Sequence, residues 1–171
     1  MTLTPPPVAC VGCQAPVPDL PESYGPEHRY IGASPGCWFI FGEVRAALMN
    51  APYEVKVRGL LTDTYMVQHP GVASRQSIQS VARHLLGLYC ALECEMPFDK
   101  TTKAMQRAPV DQFIWLTAPQ AFGPMTIVDI VQSSNATQRV ARIERWAYTT
   151  WEAWKDHHQT MRSWAARSFS R

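Results

Sequence analysis

Three things are scarce in this sequence, and each scarcity excludes a class of protein. An excess of one charge is missing: 16 Lys and Arg against 14 Asp and Glu leave a formal net charge of +2, too little for an electrostatic footprint on nucleic acid or an anionic membrane. No apolar run approaches the roughly 20 residues that a membrane-spanning helix needs. No stretch alternates apolar and polar residues for long enough to suggest a sheet, and no internal repeat is present. What is there suffices for a core: 171 residues, 46% hydrophobic and 18% charged, describe one domain that needs no covalent staple. The opening MTLTPPPVAC has neither a basic n-region nor an apolar h-region. A cytoplasmic location is therefore expected, with the five cysteines kept as thiols, where cysteine means metal, redox chemistry or core packing.

Proline divides the chain. Eight of the fourteen prolines fall in the first 35 residues, and each fixes φ and removes a donor, so no helix or central strand is expected there. Such an arm, with little apolar surface, is expected to be loose unless Cys10, Cys13 or His28 ties it down. From Ser34 the pattern turns helical. Ser34-Pro35 reads as an N-cap followed by proline at the first helical position, and Trp38, Phe41, Val44 and Leu48 continue at helical spacing to about residue 49. A second helix starts near Tyr53 and ends at Gln68-His69, because Pro70 pushes its predecessor out of the α region.

Ser74 caps a third helix, in which Ile78, Val81, Leu85, Leu88 and Leu92 form a continuous stripe. Shorter helices are expected around Asp99–Arg107 and Thr126–Val131, with Phe113 and Trp115 anchoring the loop between them. From about Asn135 to Ser168 there is no proline or glycine, which predicts one long amphipathic helix. The expected fold is all-α: a bundle of four to five main helices over residues 35–171, with residues 1–34 as a proline-rich metal-binding arm of the same domain.

Cys10-Val11-Gly12-Cys13 is a C-x-x-C whose glycine suits the turn of a chelating loop. A thioredoxin-type redox pair follows a strand and opens a helix, a context missing here. Cys37 is the strongest third ligand, since the third position of a helix places its sulfur near unpaired N–H groups that stabilise a thiolate. For the fourth, His28 would close a local knuckle, whereas His69 would be returned beside the start of the first helix by an antiparallel neighbour. Spacing permits either.

The stretches CVGC, GPEHRYIGASPGCW, DTYMVQHPGVASRQSIQSVARHL and WEAWKDHH followed by RSW resemble an uncharacterised bacterial family known only as a domain of unknown function. The resemblance spans nearly the whole chain and carries no activity with it. It implies a recurring C-x-x-C, a cysteine opening the first helix and a Gln-His-Pro, which map onto Cys10, Cys13, Cys37 and Gln68-His69-Pro70. It thereby favours His69 over His28, and a tetrahedral Cys3His zinc site as the outcome. Such a site would tie the arm to the first two helices.

Elsewhere, Cys90 and Cys94 share a helix face beside leucines and read as core. Asp63, His84 and His158, or its neighbour His157, are candidates for a polar pocket inside the bundle, as acid/base sites in helical bundles are commonly built. Trp146, Trp151, Trp154 and Trp164 read as core anchors rather than base-stacking residues, because Glu144, Glu152 and Asp156 dilute the nearby arginines. Two functions follow. One is a cytosolic zinc-binding bundle, its zinc structural, that binds a protein partner or small molecule. The other is a metal-dependent hydrolase or transferase using Asp63, His84 and His158 as catalytic groups.

Overall fold

A computed structural model describes residues 6–49, 55–108 and 110–169. Proline and glycine set the helix boundaries. The first helix, α1 (Pro35–Met49), buries Gly36, Cys37, Phe41, Val44 and Leu48 along one face. The second, α2 (Val55–Gln68), stops where Pro70 requires it; its expected start near Tyr53 lies outside the described residues. Val57, Leu60, Leu61, Thr64, Tyr65 and Val67 are all buried, too many for one stripe. The reason is that α2 is the central helix, packed on α3 (Arg75–Leu92) and on α6 (Ala136–Ala153).

Capping follows the sequence. The Ser74 side chain accepts the Ser77 N–H at 3.1 Å to open α3, and Asn135 accepts that of Gln138 at 2.9 Å to open α6. The short helices α4 (Phe98–Arg107) and α5 (Ile127–Val131) fall where expected, the latter inside a Thr126/Asp129 capping box. Phe113 and Leu116 anchor the intervening loop, and Trp115 is only half-buried. Among the described residues no helix is long and apolar enough to cross a membrane.

Two expectations need correction. The single helix over 135–168 is broken: α6 ends at Ala153, a 3-10 turn covers Lys155–His157, and α7 runs from His158 to Phe169. No proline or glycine is responsible. The Trp151 carbonyl accepts the Trp154 N–H at 3.0 Å and the His158 Nε2–H at 2.9 Å, so an imidazole replaces the i+4 amide and the chain turns to lay α7 against α3 and α4. The turn also buries Trp146, Trp151 and Trp154.

The arm, in turn, has more structure and more apolar burial than its prolines suggest. Strands β1 (Val8–Ala9) and β2 (Pro16–Val17) pair antiparallel, a ladder too short to leave an alternating pattern. Ala15, Val17, Ile31 and Ala33 belong to the main core. Backbone bonds add a second attachment: Gly32 N–H to the His69 carbonyl at 3.0 Å and Gly71 N–H to the Tyr30 carbonyl at 3.1 Å.

Candidate metal centre

The loop joining β1 to β2 carries the C-x-x-C. It is closed by the Cys10 N–H on the Ala15 carbonyl at 2.9 Å and the Gln14 N–H on the Cys10 carbonyl at 3.0 Å. The left-handed conformation in this turn falls to Gln14 (φ 62°), not to Gly12. Gly12 is required by space instead: a Cβ there would lie 2.6 Å from His69 Cδ2 and would also strike the Gly32 carbonyl oxygen. The loop therefore sits directly on the end of α2.

Four ligand atoms converge there. Those of Cys10, Cys13, Cys37 and His69 all lie within 4.8 Å of one another, with Cys13 Sγ 3.9 Å from Cys37 Sγ and Cys37 Sγ 3.3 Å from His69 Nε2. Zinc–sulfur bonds of about 2.3 Å in a tetrahedron give a sulfur–sulfur edge of about 3.8 Å, so the spacing fits a metal. Cys10, Cys37 and His69 are buried. Cys13 is half-buried and faces a cleft of about 360 Å³ walled by residues 118–123.

The surrounding hydrogen bonds prepare the ligands. At the end of α2 the His69 N–H turns to the Met66 carbonyl at 3.2 Å, which leaves the Tyr65 carbonyl to the imidazole at 2.7 Å. A carbonyl only accepts, so Nδ1 carries a proton and Nε2 is the nitrogen aimed at the sulfurs, the usual outer-shell arrangement of a histidine ligand. Tyr65 also donates its hydroxyl to Cys37 Sγ at 3.5 Å and stacks between Phe41 and His69. Ser34 links the arm to α1: its N–H reaches Cys10 Sγ at 3.5 Å, and its hydroxyl accepts the Val11 N–H at 2.9 Å.

The electrostatics describe a site short of positive charge. Hydrogen bonds from the Cys13 and Cys37 thiols hold Cys10 far below the usual thiol range. Cys37 is pushed far above it by the same bonds to Cys10 and Cys13, and by burial. Burial lowers His69, but its bonds to Cys10 and Cys13 outweigh that and raise it to about 9. Three thiols in contact can share one negative charge, and further thiolates need a cation.

The other candidates are placed as follows. His28 is exposed and stacks on Tyr30 at 5.0 Å, outside the cluster. Asp63 and His84 are joined by a 2.8 Å bond from His84 Nδ1 to Asp63 Oδ1. Burial raises the Asp63 pKa and His84 opposes the rise. His158 keeps different company: it stacks on Trp151 at 3.8 Å and lies 3.7 Å from Glu93. His157 bonds the Thr117 carbonyl at 2.9 Å. Cys90 is buried, with its thiol pushed up to about 12 by burial, while Cys94 is exposed. The roles of Tyr65 and Ser34 at the sulfur cluster were not apparent from sequence. The one signal for Tyr65 was its position four residues before His69 on a helix.

Fold and site together define an all-α protein with a buried Cys3His cluster compatible with zinc. The chain belongs to a family of unknown function (DUF5946), whose model matches residues 8–155. No curated protein and no solved structure matches it.

Proposed function

We propose that Cys10, Cys13, Cys37 and His69 hold one structural zinc ion, and that the helices it braces form a cytoplasmic module binding a small molecule or protein partner. The observation that carries the reading is the convergence of four donors of zinc-preferring type within 4.8 Å. Cys10 and Cys13 would supply thiolates from the arm, Cys37 a thiolate from the amide-rich start of α1, and His69 a neutral imidazole already held in the right tautomer by Tyr65. Bound there, zinc supplies cross-linking and offsets the charge of the thiolates. Four protein ligands fill a tetrahedral ion, which suits structure rather than catalysis. In this reading residues 1–34 and 35–171 are one folding unit.

Native mass spectrometry on protein purified without added metal tests the proposal. One zinc per chain, lost in Cys10→Ser and in Cys37→Ser together with a lower melting temperature, is expected. Full metal content and unchanged melting in both variants would overturn the assignment. A second reading, a metal-dependent hydrolase or transferase, is favoured by the pairing of buried Asp63 with half-buried His84 alone. It requires a further metal that His84→Ala removes and Cys37→Ser does not.

A further inference from the structure

At the far end of α1 and α2 from the sulfur cluster lies an open cavity of about 620 Å³, lined by α1, α2, α3 and α4. Its volume is in the range of small-molecule sites, roughly 300–1,000 Å³. The walls are apolar: Leu48 and Leu61 at the base, Met105 from α4, and Met49, Val55 and Phe98 around it. The last three are large hydrophobic side chains left exposed, at 58%, 50% and 40%, and all three line this one cavity. Exposed apolar side chains scattered singly need no explanation, but a group of them around a cavity marks a binding surface.

Among the described residues of this cavity, arginines outnumber carboxylates three to one. Arg45, Arg58 and Arg83 line it, from three different helices. Among the described residues neither Arg45 nor Arg83 is in an ion pair. The carboxylate in the wall, Asp63, is engaged by His84. Guanidinium groups beside an apolar chamber recognise an anionic head on an apolar body.

We infer that this cavity binds a soluble amphipathic anion, of the class of medium- or long-chain carboxylates, with its head on Arg45 and Arg83 and its chain along Leu48, Leu61 and Met105. The inference rests on reading the bundle as a small-molecule binding module, and it gives that module its ligand class. Isothermal titration calorimetry on the full metal-loaded chain would use three probes: dodecanoate below its micellar concentration, acetate as the head alone, and dodecyltrimethylammonium as the chain with opposite charge. One equivalent of dodecanoate should bind, with the other two at least about tenfold weaker, as expected when a charged hydrogen bond and a buried chain both contribute.

Arg45→Gln/Arg83→Gln should lose about tenfold in dodecanoate affinity, and Thr102→Trp, filling the cavity from α4, should abolish binding. The arginine variant lies on the surface and keeps the test valid if the tryptophan variant misfolds. No dodecanoate binding, equal binding of either control probe, or an arginine variant with unchanged affinity would overturn the inference. Because the metal is counted separately, failure here leaves the zinc assignment standing, and loss of zinc without loss of dodecanoate binding would sink that assignment's bracing role alone.

Discussion

The two ends of the α1–α2 pair are built from the same helices and are opposite in character. At one end Cys37 and His69 meet the arm in a largely buried cluster whose donors face one another. At the other, Leu48, Leu61 and Val55 line an open cavity that also carries Arg45 and Arg83, neither of them in an ion pair among the described residues. Eleven residues separate Cys37 from Leu48, roughly 16 Å along a helix at 1.5 Å per residue, so neither end constrains the other through direct contact. The difference teaches how a small bundle separates tasks: the end crowded with thiols is suited to hold the chain together, and the open end is left to meet other molecules.

The most severe way to break this contrast is to remove a ligand from the buried end. Cys37→Ser should eliminate metal binding and cost several kcal/mol, since structural zinc contributes apparent free energies on the order of 10 kcal/mol. Calorimetry should then show a melting temperature lower by about 10 °C or more, at roughly 2–4 °C per kcal/mol for a chain of this size. A chelator should do the same to the native protein, and more readily at acid pH, because the thiolates must give up the metal to take protons.

A smaller effect probes the boundary between the two ends. At Gly87 a Cβ would stand 2.9 Å from Asp63 Cγ and strike a carboxylate oxygen. Gly87→Ala should therefore cost about 1–3 kcal/mol, the usual penalty for overpacking, as read from urea unfolding. Gly42→Ala, where nothing lies within 4 Å of the new methyl group, should instead stabilise α1 by about 0.5–1 kcal/mol.

Asp63 sharpens the comparison through pH. Burial raises its pKa in the folded state, so the native protein holds this proton more tightly than the unfolded chain does. The resulting stability is fully present below the unfolded value near 3.9 and is lost as pH rises through the folded value. Asp63→Asn lacks that loss. Its stability relative to the native protein should climb with pH across this window in parallel urea titrations, and a flat difference would contradict the cause given for the shift. The mildest probe is thiol reactivity. Iodoacetamide mapping should label exposed Cys94 in the metal-loaded protein, leave Cys90 untouched because burial keeps its thiol protonated, and reach half-buried Cys13 only after chelation.

Much of this architecture could be read from the chain. Helix α1 follows from Ser34-Pro35, the end of α2 from Pro70, α3 from Ser74 and its leucine stripe, and α4 and α5 from the short segments that the prolines at 97, 109, 119 and 124 set off. The three cysteines of the cluster were legible because C-x-x-C and a helix-opening cysteine are local features. The choice between His28 and His69 was not: it took the family resemblance to favour one, and the structure places His69 in the cluster and His28 on Tyr30. The break after α6 was invisible, because it depends on an imidazole seven residues away taking the Trp151 carbonyl. The pairing of Asp63 with His84 was within reach of a pattern argument, while the attachment of His158 to Trp151 and Glu93 was not.

By itself, the sequence determined where helices begin and end and which side chains can bind a soft cation. Proline geometry, capping and helical periodicity act over a few residues, and they act the same way whatever the rest of the chain does. Only the tertiary structure decided which of those side chains meet, that the arm is held by apolar burial and backbone hydrogen bonds, and that three arginines from three helices share one cavity. Those outcomes depend on the path of the whole chain through space. Cys37 and His69 are 32 residues apart in sequence and 3.3 Å apart in the fold, and no local preference of either residue encodes that distance.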